Sequence, residues 1–224
     1  MRSSRRFAID RSVAANESRS GLDSAVSQLK LSSVLNRVRR ELRRVADPRK
    51  AAGAQAYMKS AMPYHGVPVP ALRQACKRLF AEIELPSREV WRGHVLELWR
   101  GARYREERYV AIEMTGDKRA RAFQTPVEMP LYEEIIVTGA WWDFVDGVAS
   151  HRVGPILRDY PAPMKKKMLV WSRSANMWKR RTAIICQLGF KQRTDLDLRE
   201  RRDQAAARAR LRRQRPRGAA RLRT

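Results

Sequence analysis

Apolar residues recur at spacings of three and four through most of the chain, the period of an amphipathic helix. From Leu22 to Val45 the stripe is Val26, Leu29, Val34, Leu35, Val38 and Leu42, with Arg37, Arg39, Arg40, Arg43 and Arg44 mostly off it. Asp47-Pro48 predicts the end of that helix and the start of another, because proline fits a first helical turn but not an interior. Residues 49–62 are Ala-rich, with Tyr57 and Met58 as bulk. Met62 to Pro70 contains three prolines and Gly66, which predicts a rigid connector. Helix resumes over Ala71–Ile83, with Leu72, Cys76, Leu79 and Phe80 on one side. Pro86-Ser87 opens a helix that buries Val90, Trp91, Val95, Leu98 and Trp99 and closes at Gly101. The next runs from Tyr104 to Met114, its Glu106 and Glu107 preceding Tyr109, Val110 and Ile112.

The second half continues in the same way. Pro130 opens a helix of Leu131, Ile135 and Ile136 that Gly139 ends. A helix comes next at Trp141-Trp142, then a short one near Val153–Leu157 and another over Met164–Trp171. Ser174-Ala175-Asn176 caps one more, with Trp178, Ile184, Ile185 and Leu188 as its core and Gly189 near its end. No stretch shows strand alternation with hairpin turn signals. The pattern therefore predicts an all-α chain. Helix pairs return about every 35–40 residues, the period of helical repeats, so the expected architecture is an α-solenoid of HEAT-like pairs. Such stacks offer a concave face to a long ligand.

Charge changes the picture. The 224 residues carry a net +25 with 43% hydrophobic content, enough for a core but far too basic for an ordinary domain. Residues 199–224 hold eleven Arg against Glu200 and Asp203, a net of +9, and the other 198 residues still carry +16. A basic body predicts a polyanionic partner, nucleic acid first and an anionic membrane surface second. Cys76 and Cys186 sit in apolar helical patterns without metal or CxxC spacing, as small buried hydrophobes of a reducing compartment do. No run of eighteen apolar residues predicts a membrane span. Residues 1–21 are Arg- and Ser-rich with no period, and read as a disordered arm.

The densest chemistry lies in Trp141-Trp142-Asp143-Phe144-Val145-Asp146. Trp142, Asp143, Val145, Asp146 and Ala149 have helical spacing and predict one shared flank. An indole face and a carboxylate one turn apart suit a cationic sugar ring or base. The same residues also suit plain core packing, with Asp143 as a carboxylate at a helix N-terminus. His65, alone in a Pro/Gly turn, reads as structural or solvent-exposed rather than catalytic.

Ala56-Tyr57-Met58-Lys59-Ser60, Pro63-Tyr64-His65-Gly66-Val67, the Trp-Trp-Asp-Phe-Val-Asp block and Ala175-Asn176-Met177-Trp178-Lys179-Arg180-Arg181 occur in that order. Over roughly residues 33–198 they resemble the AlkD-type DNA alkylation repair family, whose members are HEAT-like-repeat DNA glycosylases. The resemblance implies hydrolysis of the N-glycosidic bond of cationic alkylpurines, chiefly N3-methyladenine and N7-methylguanine, in double-stranded DNA. It implies no metal and no organic cofactor. By the same resemblance Asp146 is the catalytic carboxylate, Trp142 contacts the deoxyribose of the lesion, and Arg181 lies near the backbone phosphate. Trp141, Tyr57, Lys59 and Trp178 complete the implied DNA-binding set. The family is thought to hold the backbone rather than a flipped base, which fits a sequence without a Gly-rich or His-rich pocket motif.

After Leu198 the chain departs from that pattern. Residues 199–224 offer only Leu211 and Leu222 as large apolar groups, a composition that reads as a basic tail or a shifted frame in place of the family's last repeats. The expected organisation is then an arm over 1–21, a truncated helical-repeat domain over 22–198 and a basic tail over 199–224. Three functions stay open: a glycosylase, a non-catalytic DNA-binding repeat protein and a protein-interaction solenoid. The expected protein is a cytoplasmic, nucleoid-associated monomer that does not engage a membrane.

Overall fold

The computed structural model describes residues 34–201, 203, 204 and 207, and among these every regular element is helical. The arm over 1–21, the first part of the helix expected from Leu22, and residues 208–224 lie outside the described residues. Two compact units divide the chain. One holds residues up to Glu84 together with Gly93–Val110, and the other holds Leu85–Arg92 and the chain from Ala111 onward.

In the first unit, α1 (residues 34–44) turns Val34, Val38 and Leu42 into the core, each at most 4% exposed. The chain breaks at Asp47, whose side chain accepts the Arg49 N–H and caps α2 (Pro48–Tyr57), as the Asp-Pro signal predicts. No residue of α2 is buried. Of the two bulky residues expected to pack there, Met58 is inside and Tyr57 is 78% exposed. α3 (Val69–Ala81) buries Leu72, Ala75, Cys76 and Leu79.

The Pro/Gly connector is held from below by a carboxylate. Glu106, in the first turn of α5 (Arg105–Met114), is 1% exposed and accepts the N–H groups of His65, Gly66 and Val67 at 2.9–3.1 Å. Gly66 has φ +76°, and a Cβ there would lie 2.0 Å from the Asp47 carbonyl oxygen, so only glycine fits. His65 is buried and stacks on Tyr104 at 3.8 Å, a structural histidine. Burial alone would raise the Glu107 carboxyl. Contacts from His65, the Arg103 N–H and Arg39 outweigh it and hold the group below its usual range.

The second unit contains the start of α4 (Arg88–Gly101), the end of α5, and the chain beyond Met114. Two short 3-10 segments, Lys118–Phe123 and Pro126–Glu128, lead into α6 (Met129–Gly139). Then come α7 (Trp142–Val148), a π-helical turn (Ala149–Val153), α8 (Gly154–Asp159), α9 (Pro161–Ser172) and α10 (Met177–Ile185). A 3-10 segment at Leu188–Arg193 precedes α11, residues 196–201. Successive helices pack on one another, α6 on α7, α8 on α9 and α9 on α10, which is the solenoid-like pattern expected of helical repeats. Glu128 is fully buried and answered by Arg92 at 2.5–2.8 Å and by Arg88 at 3.5 Å.

Three details differ from the sequence reading. The left-handed residue that stops α6 is Ala140 (φ 44°), not Gly139, which is the last helical residue. The expected core of α10 is partly inverted: Ile184 and Leu188 are 47% and 69% exposed, while Thr182, Ala183 and Cys186 are fully buried. The expected tail begins as an extension of α11, since residues 199–201, 203, 204 and 207 are helical and exposed.

Candidate functional site

α7 owes its start to its neighbours rather than to a cap. Ala140 reverses the chain and Trp141 is extended, without a side-chain capping bond. Phe144, Val145 and Val148 are fully buried and fasten the helix to the core. The shared flank expected of Trp142, Asp143, Val145, Asp146 and Ala149 is therefore split. Val145 and Ala149 face inward, while Trp142 is 44% exposed and Asp143 and Asp146 reach the surface. Asp143 accepts the Phe144 N–H at 2.9 Å, consistent with a first-turn carboxylate. Trp142 and Asp146, four residues apart, stay on one side.

α10 supplies the other half. Asn176 caps it as predicted, its side-chain oxygen accepting the N–H groups of Trp178 and Lys179 at 2.9 and 3.2 Å. That start sets Arg181 one turn in, opposite α7. Its Nε and Nη2 each donate to one oxygen of Asp146 at 2.6 Å, a bidentate pair. These bonds raise the Arg181 guanidinium above its usual value. The pair is part-exposed, with side-chain accessibilities of 42% and 34%, so solvent reaches it.

The other site residues are placed unevenly. Trp141 stands at the head of α7, half-buried, with a buried indole N–H that has no acceptor among the described residues. Trp178 is half-buried three residues before Arg181. Tyr57 and Lys59 belong to the first unit, both exposed, and Lys59 has φ 48° just past the end of α2. The sequence reading missed Lys179, which ion-pairs with Glu133 and, with Lys167, lies within 5.8 Å of the Trp171 ring centroid. Among the described residues no group of three His, Cys, Asp or Glu side chains is placed to hold a metal ion, and no helix is long and apolar enough to cross a membrane.

A model of the DNA alkylation repair enzyme family matches residues 38–206, about three quarters of the chain. The chain belongs to this family. Among solved structures it is similar to a predicted DNA alkylation repair enzyme from Enterococcus faecalis, with 25% identity and a TM-score of 0.55. That likeness covers 70% of this chain and 72% of the other. A comparison with curated proteins finds no match. Membership in the DNA alkylation repair family assigns the chain a role in repairing alkylated DNA and implies contact with DNA. The family match also runs past Leu198 to residue 206, so the first part of the basic stretch belongs to the shared pattern.

Proposed function

We propose that the protein is a DNA glycosylase that hydrolyses the N-glycosidic bond of cationic alkylpurines, N3-methyladenine and N7-methylguanine, in duplex DNA. The observation that carries this reading is the Asp146–Arg181 pair, solvent-accessible and flanked by the exposed indole of Trp142. A methylated N3 or N7 makes the base cationic and a good leaving group, so no acid need protonate it. The remaining demand is to stabilise an oxocarbenium-like sugar and to place a water. The Asp146 carboxylate meets both as a counter-charge and a hydrogen-bond acceptor. The Trp142 ring offers an electron-rich wall to the same sugar. Arg181 uses Nε and Nη2 on Asp146, which leaves its Nη1 donors for a backbone phosphate. The pair thus links a phosphate contact to the orientation of the carboxylate. Neither metal nor organic cofactor enters this chemistry, and a monomer suffices for it.

The test is base release. Purified protein is incubated with duplex DNA carrying N7-methylguanine or N3-methyladenine, and free base is separated from DNA. Release of methylated base at a rate well above spontaneous depurination is the expected result. Binding without release would leave a DNA-binding repeat protein instead.

A further inference from the structure

Residues 187–195 form a closed loop whose construction the Asp146–Arg181 site does not require. The Gln187 side chain is 5% exposed and pairs in both directions with the backbone of Asp195: Oε1 accepts its N–H at 2.8 Å and Nε2 donates to its carbonyl at 3.4 Å. Inside this clamp Lys191 has φ 52° and ψ −121°, a conformation that costs a residue with a side chain on the order of 1–3 kcal/mol. Core packing does not account for that conformation, since no residue of the Leu188–Arg193 segment is buried. The segment places Phe190 and Arg193 on the wall of a cavity of about 180 Å³ that opens to solvent, room for part of a nucleotide with the rest at the mouth.

The opposite wall comes from α8, α9 and α11. Leu157, Pro161 and Leu198 supply apolar surface, and Arg158 and Lys165 add two cations to Arg193. Among the described residues Asp195 is the one acid lining the cavity, and it pairs with Lys165. Arg158 is shared with Asp159 at 2.9 Å. Arg193 has no ion-pair partner among the described residues. The cavity therefore combines an excess of positive charge with a half-exposed aromatic ring and an apolar floor. That combination matches a phosphate joined to a flat base.

We propose that this cavity is a nucleotide site, separate from the Asp146–Arg181 pair. Phe190 stacks on the base, and Arg193, with Arg158, holds the phosphate. The ligand is a free deoxynucleoside monophosphate or a nucleotide at an unpaired end of a DNA strand. The strain at Lys191 and the Gln187 clamp keep Phe190 and Arg193 in place before the ligand arrives, which reduces the entropy lost on binding.

The experiment uses the full chain and two probes, deoxyadenosine monophosphate by titration calorimetry and a short duplex with or without a single-stranded overhang by fluorescence anisotropy. Phe190→Ala and Arg193→Ala are each compared with the parent, and their melting temperatures are measured alongside. Loss of a base–aromatic stack is worth about fivefold or more in affinity. A drop of that size for the free nucleotide identifies a mononucleotide site, and a drop confined to the overhang duplex identifies a strand-end site. Parent protein that binds neither probe at this cavity, or variants that bind both like the parent, overturns the proposal. Because neither residue belongs to the base-release site, both variants are expected to release methylated base from blunt duplex at the parental rate. A parent that releases no base yet binds the probes would remove only the glycosylase reading.

Discussion

Asp146 and Arg181 meet across 35 residues of chain, with both carboxylate oxygens engaged at 2.6 Å. Each residue is one turn or less from an exposed apolar side chain, Trp142 on α7 and Ile184 on α10. The pair is thus a charged point on a partly apolar surface, where an approaching sugar–phosphate unit finds both kinds of contact.

Asp146→Asn keeps the shape and removes the charge. Base release should fall on the order of a hundredfold or more, equivalent to about 2.7–4 kcal/mol, while DNA affinity changes little. Single-turnover rates on N7-methylguanine duplex check this, and parental rates in the variant would remove Asp146 from the reaction.

Arg181→Ala should weaken DNA binding alike across sequences and reduce the salt slope by about one unit. Part-exposed ion pairs contribute at most about 1 kcal/mol to folding, so the melting temperature should hardly move. Binding isotherms over a salt series, paired with thermal melts, separate the two effects. An unchanged slope would show that Arg181 serves only Asp146.

Glu106→Ala removes an acceptor from three backbone N–H groups in a buried turn. Hydrogen bonds to a charged group are worth about 1.5–3 kcal/mol each, so the loss should exceed about 3 kcal/mol. Urea unfolding of the variant measures it, and a loss below about 1 kcal/mol would show that the connector holds its own shape.

Much of the helical frame is legible in the sequence because apolar spacing and breakers report burial directly. Asp47-Pro48 and Asn176 sit where their chemistry requires them, and both cap as expected. The acids of the interior are not legible. Glu106, Glu107 and Glu128 resemble solvent-facing helix-start residues, yet each is at most 1% exposed and is answered by backbone amides or arginines far along the chain. Tertiary partners of that kind leave no periodic trace. The contact of Asp146 with Arg181 belongs to the same class: each residue stands out in its own motif, but their meeting depends on how α7 and α10 pack. The exposure of Ile184 has a related cause, since small Thr182, Ala183 and Cys186 allow the close approach on the other side of α10.

Burial pushes the Glu97 carboxyl up to about 7, with partial relief from the Leu35 N–H and the Arg39 charge. The folded state then binds more protons than the unfolded chain between pH 4.5 and about 7. Stability should fall as pH rises through that window, by on the order of 1–3 kcal/mol, and level off above it. Denaturation midpoints from pH 4.5 to 8 test the sign. Glu97→Gln should flatten this component, and an equal slope in the variant would place its origin elsewhere.

Residues 208–224 contain eight arginines and no acid. Deleting them should lower DNA affinity at low salt and matter little at high salt, as loss of counterion release requires. Anisotropy titrations at two salt concentrations decide it. An equal loss at both would mean that the segment makes contacts beyond charge.

The π-helical turn at Ala149–Val153 fixes the phase between α7 and α8. Arg152, inside the turn, donates to Thr115 Oγ1 at 2.8 Å and to the Ile112 carbonyl at 3.2 Å, in a space that exists because residue 116 is glycine. An α-helix advances about 100° per residue, so removing one residue here would swing Arg152 off both acceptors. The same step would rotate α8 against the helix that carries Asp146. This stretch of chain therefore tolerates exchange of side chains more readily than any change of length, and its spacing to Asp146 acts as a fixed ruler.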